Sequence, residues 1–561
     1  MADGSASIAR NRLAVAIGTD RAVRAHESLS APRAATEVQG TRWRGASQTL
    51  RSMVNWGARV GSATADTPTT ELRTLRARSR DAGRNHPLAR AGIMRSRTSI
   101  VGTGLVCRPI VDHDALGITA ESAQAYNTQL LAAFTRWAED PLECDIESTL
   151  DFYGLQGLAL LSALSSGDCF ALTPGELRPG GVNDLKLQLI EADRVCNKND
   201  QADTVTCIDG VEYAGPTPVG CWVRNVHPGD AIDTRMPSWA YYPYIGNATG
   251  RRRVLHVWND KERPGQVRGV PFLAPILEPL KQITRLADAE LMASVLTSFM
   301  TVFIERDPSA GGGDEEAIDG TDAEGNVALG HGAIVDLAPG EKANAFDPKR
   351  PNVNFDPFFM AIAKQIGAAL EIPLDVLLLQ FNSSYSAARA AMLEAWRMFL
   401  TRRWWLVQQF CQPVYALLVD EEVAAGRIRL PGYDDPSKRR AWLRAIWTGP
   451  AKGSMDEEKE ARAARTRIEI GVSNEQMEAA AMTGEDRDAV YAQRLREINQ
   501  RKADGTWVEP KDSNTPPAKP AQPAGERPGG EGDDAGKDAG DKADDTAKDI
   551  ADETAEQEET A

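Results

Sequence analysis

Six histidines in 561 residues leave little material for a metal centre or an imidazole base. His26, His86, His113, His227, His256 and His331 are scattered, with no His-x-x-x-His pair, which excludes the common helical zinc site. His256, beside Trp258, alternates like a strand residue and reads as structural. Cysteine is equally sparse. Seven thiols, Cys107, Cys144, Cys169, Cys196, Cys207, Cys221 and Cys411, stand at wide spacings without a Cys-x-x-Cys pair, as buried thiols of a reducing compartment do. The most apolar run, Leu291 to Ile304, is broken by Ser294, Thr297, Ser298 and Thr301 and falls short of the roughly 20 residues a bilayer span needs. No signal peptide opens the chain, so a soluble protein made in the cytoplasm is expected, with no membrane partner.

Signatures of catalysis are missing as well. There is no Gly-x-x-x-x-Gly-Lys-Ser/Thr cradle for phosphates: Gly449 to Ser454 is merely glycine-rich, and Gly536-Lys537 is followed by Asp538. Gly102-Thr103-Gly104 lacks the third glycine of a dinucleotide loop and reads as a strand-turn feature. The acidic stretch Asp314, Glu315, Glu316, Asp319, Asp322 and Glu324 puts Thr321 and Ala323 where a calcium loop needs carboxylates or amides. It reads as a solvated loop or a docking surface for a partner. No catalytic residue, metal or cofactor is therefore expected.

Charge is spread unevenly along the chain. Residues 1–100 hold 17 Arg, no Lys and 7 acids, whereas 511–561 hold 15 acids and 6 bases within a net charge of −16. An acidic total argues against gripping nucleic acid over a wide surface, which takes clustered Lys and Arg.

At this length two to four structural regions are expected, in an α+β, predominantly helical chain. Residues 1–70 read as an Arg-rich arm with a short helix around Ser47 to Trp56. Helical patterns follow from Glu71, with Asn85 before Pro87 as a candidate cap, then over Ala120 to Glu139 and Leu150 to Ser165. Val101 to Pro109 reads as a strand. Between Asp168 and Val257 come short strands: Cys169 to Thr173, Leu185 to Ile190, Gly210 to Tyr213, Gly220 to Arg224 and Val254 to Trp258.

Pro271 to Ile304 is a long helix candidate with two faces. Leu273, Leu277, Leu280, Thr284, Ala287 and Leu291 line one, while Glu278, Lys281, Arg285 and Asp288 line the other. Either a solvated face or a subunit-contact or channel-lining face fits that stripe. After an inserted lobe with a β-like stretch at Ala333 to Leu337, a second helix over Asp356 to Leu370 leads to Glu371-Ile372-Pro373 and a polar loop. From Ser386 a helix carries Trp396, Phe399, Trp404, Trp405, Phe410 and Tyr415 on all sides, which predicts burial in a large core or against copies of itself. Two or three shorter charged helices are expected beyond Gly426. From Lys511 the chain is too poor in apolar residues to fold.

Several phrases in this order resemble the lambda-type portal proteins of tailed bacteriophages, over roughly Arg84 to Gln500. They are Arg84-Asn85-His86-Pro87-Leu88-Ala89 with Ile100 to Gly104, Leu189 to Val195, Arg263 to Pro271, Leu370 to Pro373 with Ser384 to Arg389, and Trp447-Thr448-Gly449-Pro450. A last block, Asp456 to Arg496, resembles the family's ending, with Asp456-Glu457 where the family's pattern has Asp-Pro.

The resemblance implies a portal fold assembled as a twelve-fold ring at one capsid vertex. Its parts are a wing (71–266), stem helices (267–304 and 355–372) and a clip inserted between them (305–354). A tunnel loop (373–385), a long aromatic helix (386–425), a helical crown (426–510) and an acidic tail (511–561) complete it. The implied role is the DNA channel for packaging and ejection. Implied partners are the terminase large subunit, the major capsid protein or scaffold, head-completion or adaptor proteins, and double-stranded DNA held without sequence preference. The place would be the virion, after assembly in the host bacterial cytoplasm. Carried onto this sequence, the loop residues are Gln380, Asn382, Ser383, Ser384 and Tyr385, with Arg389 just inside the next helix. The alternatives are an ordinary helix-helix connection capped by Ser383 or Ser384 and, for the whole chain, a DNA-packaging nuclease or ATPase.

Overall fold

The computed structural model describes Ala46 and residues 51–507, apart from 54, 58–59, 177, 231–234, 259, 299–301, 307–340, 346–354, 381–383, 454–455 and 485–486. Most of the arm, the acidic loop, Ala333 to Leu337 and the tail lie outside the described residues. The chain divides into two compact units, residues 1–488 and 489–561. The second unit contains most of the helix Arg487–Ala503.

Helices α1 (Thr69–Asn85) and α2 (Pro87–Ile100) are separated by His86 alone. Pro87 holds the first helical position, where a missing N–H costs nothing, and it forces the preceding residue into extended backbone. The cap position is therefore His86 and not Asn85, whose Nδ2 donates to Asp81 Oδ1 at 2.6 Å. Helices α3 (Ala120–Ala138) and α4 (Phe152–Ser166) start at Thr119 and Asp151, each accepting a backbone N–H of its own first turn.

The strand expected from Val101 is only β1 (Val106–Pro109), because Gly102 turns with φ 59°. A Cβ on Gly102 would meet Pro450 Cγ at 2.4 Å, so the turn also admits a neighbouring chain segment. Strand β2 (Asp168–Leu172), buried throughout, pairs with β3 (Gln188–Glu191) and with β8 (Val254–Trp258). A second sheet orders β4 (Cys207–Ile208), β5 (Val211–Ala214), β6 (Thr217–Arg224) and β7 (Trp239–Pro243).

Helix α5 (Leu277–Ser298) is shorter than the apolar period suggested. Pro275 lies in a 3-10 turn, Ala274–Ile276, that precedes it, and its far end gives way to the β-branched and aromatic strand β9 (Val302–Arg306). β9 pairs antiparallel with β10 (Glu341–Ala345), so a two-stranded ribbon closes the base of the inserted lobe. Helix α6 (Phe355–Ala369) then packs on α5.

After the one-turn helix α7 (Leu374–Leu378) comes α8 (Tyr385–Leu406), continued through a π-turn (Val407–Cys411) into α9 (Gln412–Ala424). Pro413 explains the π-turn. It cannot donate to the Gln409 carbonyl and would press on it, and widening the turn relieves that clash. Within the core, Phe152 stacks on Phe410 at 5.6 Å, and Phe134 meets Tyr415 and Trp447 edge-on, each at 5.7 Å. Beyond Gly426 the chain adds a strand, β11 (Ala445–Thr448), which pairs with β1, and four helices: Pro436–Trp442, Glu457–Glu469, Glu475–Met482 and Arg487–Ala503.

Candidate functional site

The polar loop is shorter than its sequence suggested. Its first half is α7, whose Val376 and Leu377 are buried, because an apolar Val-Leu-Leu step finds the core between α6 and α8. Leu379 leaves this turn in the left-handed region (φ 54°), and the Gln380 N–H donates back to Asp375 O at 3.1 Å. Gln380 is exposed, while Asn382 and Ser383 lie outside the described residues. Ser384 is the cap of α8: its Oγ accepts from Ala387 N at 3.4 Å. Tyr385 opens the helix, and Arg389 is exposed one turn further. The connection is thus a capped helix-helix loop, and its exposed part is uncharged until Arg389.

On α5 the structure brings Glu278, Lys281, Arg285 and Asp288 into one exposed stripe. Opposite them, Leu273, Leu280 and Ile283 are buried. The apolar face outruns its cover: Leu291 and Val295 are exposed, as is Phe358 near the start of α6, while exposed Met292 extends the charged stripe by a turn. Asp314, Glu315, Glu316, Asp319, Asp322 and Glu324 lie outside the described residues.

The aromatic helix gives water a wider face than expected, with Glu394, Arg397 and Thr401 exposed along it. Phe399, Trp405, Phe410 and Tyr415 are buried, but Trp404 is 66% exposed and shares its face with exposed Leu393 and Leu400. One chain covers one side of this helix and leaves the other exposed, where charged Glu394 and Arg397 accompany Leu393, Leu400 and Trp404. Behind it, Arg403 donates to Ile100 O and Ser99 O, each at 2.9 Å, and to Pro450 O at 3.1 Å, and burial pushes its guanidinium down to about 10.

A buried ion network joins α1, β2, β8 and the segment that leads into α5. Arg268 grips Asp168 in two places, Nε to Oδ2 at 2.7 Å and Nη2 to Oδ1 at 3.1 Å, and reaches Asp209 Oδ2 at 2.9 Å. Arg76 adds a bond to Asp168 Oδ1 at 3.2 Å, and His256 Nε2 lies 3.0 Å from Oδ2. Burial alone would raise the Asp168 carboxyl, but Arg268 and Arg76, aided by His256, hold it well below the usual carboxylate range. Burial pushes His256 down and Asp209 up. Gly269 follows directly, and a Cβ there would meet Gly167 O at 2.0 Å, so two backbones touch beside the network. Arg268 belongs to the Arg263 to Pro271 phrase, and Asp193, which bonds Arg76 and Arg80, to the Leu189 to Val195 phrase. The only signal available in sequence was those phrases.

Among the described residues one group has metal-ligand geometry, Glu191, Asp193 and His227. Arg80 already occupies both carboxylates, at 3.1 and 2.6 Å. His227 Nδ1 accepts from Gly229 N at 3.0 Å, which leaves the proton of the neutral ring on Nε2, the atom facing the acids. The group is an ion-pair cluster.

A family model described as phage portal protein, lambda family, matches residues 49–403. The chain is 24% identical to portal protein B of Escherichia phage lambda over 454 residues, 76% of this chain and 84% of that protein. It is likewise 24% identical to the portal protein of Escherichia phage N15 over 459 residues, again 76% and 84%. Among solved structures it resembles a chain from the neck of a native GTA particle computed with C12 symmetry, at 15% identity and a TM-score of 0.35, covering 65% of this chain and 92% of that one. A chain from the virion of a native gene transfer agent matches at 16% identity and a TM-score of 0.33, covering 69% and 94%.

Proposed function

Because the chain belongs to the lambda family of phage portal proteins, we propose that twelve copies close into a ring at one capsid vertex and that DNA passes along its axis during packaging and ejection. The observation that carries this reading is a pair of apolar surfaces that a lone subunit leaves in water. One is Leu393, Leu400 and Trp404 on α8, and the other is Leu291 and Val295 on α5 with Phe358 on α6. A cyclic ring is heterologous and needs two different patches on each copy, and α8 offers one and α5 with α6 another. Patches of this kind on a soluble chain mark contacts with protein.

In this reading 71–266 is the wing, α5 and α6 are the stem, the ribbon β9–β10 opens the clip, residues 379–385 form the tunnel loop, and the helices after 426 form the crown. The loop groups Gln380, Asn382, Ser383, Ser384 and Tyr385 touch passing phosphates without base preference, and Arg389 adds a single charge. Glu278, Lys281, Arg285 and Asp288 face the channel or a neighbour, and the acidic clip residues dock the terminase large subunit and later the head-completion proteins. The capsid protein or scaffold holds the outer rim. The ring has no catalysis of its own. Native mass measurement of the purified chain, 60.8 kDa per copy, tests the assembly. A closed oligomer near twelve copies supports it, and a strict monomer at micromolar concentration refutes it.

A further inference from the structure

The π-turn Val407–Cys411, the helix Pro436–Trp442 and strand β11 border a groove with a volume of about 540 Å³. Its lining sets Ile110, Leu443 and Ile446 beside Arg439, Arg440 and Arg444 and includes no carboxylate. Ile446 is 52% exposed, and all three arginines are exposed as well. Arg439 pairs with Asp420 and Arg444 with Asp112, acids that lie outside the lining, and Arg440 has no ion pair among the described residues. Ion pairs this open to water hold their partners weakly, and each guanidinium has five N–H donors. The groove can therefore take further carboxylates on its arginines while an aliphatic side chain covers its apolar residues.

A stretch of this chain has the matching composition. Between Lys511 and Ala561 the one large apolar residue is Ile550, and residues 549–559 hold six acids, Asp549, Asp552, Glu553, Glu556, Glu558 and Glu559, with no Lys or Arg. The path toward it starts beside the groove. Arg108 Nη2 holds Asp488 Oδ2 at 2.5 Å, and Arg108 stands opposite Ile446 in the β1–β11 pair. The helix Arg487–Ala503 that follows is about 25 Å long, and a coil as long as the stretch from Asp504 to Ile550 spans roughly 35–40 Å r.m.s.. That reach brings Ile550 back to the groove whichever way the helix points.

We propose that Asp549-Ile550-Ala551-Asp552-Glu553 docks in the groove of its own subunit, with Ile550 against Leu443 and Ile446 and the carboxylates on Arg440 and Arg444. A DNA duplex offers phosphates to the arginines but no aliphatic side chain to Ile446. The same stretch of a second copy offers equal chemistry, but the hold on Asp488 starts each stretch beside its own groove. Tethering then favours the intramolecular contact, in a free subunit as well as in a ring. Docking keeps other polyanions off the three arginines, and salt loosens it because much of the attraction is between exposed charges.

The test places a photo-crosslinking p-benzoylphenylalanine at position 551 of the full chain. Adducts to the peptides 107–112 or 436–446 are expected at the mass of one subunit on a denaturing gel, and they should vanish in molar salt. In a second measurement, hydrogen exchange over 436–446 is compared between wild type and the full-length variant Asp549→Asn/Ile550→Ser/Asp552→Asn/Glu553→Gln, in which protection of that peptide should be lost. Adducts at twice the subunit mass would give the groove to another copy, and adducts elsewhere or unchanged protection would leave it without this occupant; each overturns the proposal. A short DNA duplex that protects 436–446 equally in wild type and variant would show the groove open to nucleic acid, and would overturn it too.

Discussion

Arg268 and Asp168 meet at 2.7 Å through Nε and Oδ2, inside a site from which both side chains are almost wholly hidden from water. The pair joins the start of β2 to the segment that leads into α5, and Arg76 of α1 and His256 of β8 close on the same carboxylate. Four separate parts of the chain thus share one buried charge. Removing one partner leaves a buried charge uncompensated, which costs far more than the pair itself contributes. Arg268→Met is expected to lose about 3–5 kcal/mol in urea unfolding. Exchanging both residues for apolar ones of similar volume should lose much less. Equal losses for the single and double variants would mean that packing, and not charge, sets the cost.

The same site sets an acid limit. His256 has a folded pKa below its unfolded value of about 6.5, so the unfolded chain binds its proton more readily. Its contribution is complete above about pH 6.5 and is lost as pH falls toward the folded value. Asp168 is also depressed and acts later, below about pH 3.9, where the raised Asp209 offsets part of it. Urea midpoints should therefore fall between pH 7 and pH 5, and fall less in His256→Gln, whose amide can still donate to Asp168. Matching slopes for variant and wild type would remove His256 from the cause.

Two tryptophans separate folding from assembly. Trp442 is fully buried and donates to Pro431 O at 3.3 Å, so Trp442→Ala should cost about 3–5 kcal/mol of subunit stability. Trp404, exposed in the single chain, should change subunit stability by no more than about 0.5 kcal/mol when replaced by alanine. Its loss should appear in assembly instead, as a smaller fraction of rings by mass photometry. Normal rings from Trp404→Ala would take α8 out of the subunit contact.

Loop length should matter to DNA and not to folding. Ser384 caps α8, and Ser384→Ala should cost about 1 kcal/mol, so a deletion that tests the channel must spare it. Removing 380–383 alone should leave rings and terminase docking intact while impairing packaging or retention of DNA. Full-length DNA retained at wild-type levels by such particles would assign the loop no role in the channel.

Helices α5 and α6, the long aromatic helix and most strands between Asp168 and Val257 were legible in the sequence, because each shows its period within a few residues. What stayed hidden depends on distant partners. Arg268 finds Asp168 across the chain, β11 is a strand because β1 lies beside it, and α7 is helical because the core accepts Val376 and Leu377. Pro413 marks a break in sequence, yet the π-turn carries the helix through it. Trp404 looked like core because periodicity records composition on each side of a helix and says nothing of which side the chain can cover.

The most direct test is electron microscopy of the assembled full-length protein, with the position of residues 380–384 read against the symmetry axis. A closed ring with these residues at its narrowest point, and with Trp404 covered by the next subunit, is the predicted result. A closed ring with 380–384 on its outer rim, or an assembly without an axial opening, would contradict the channel.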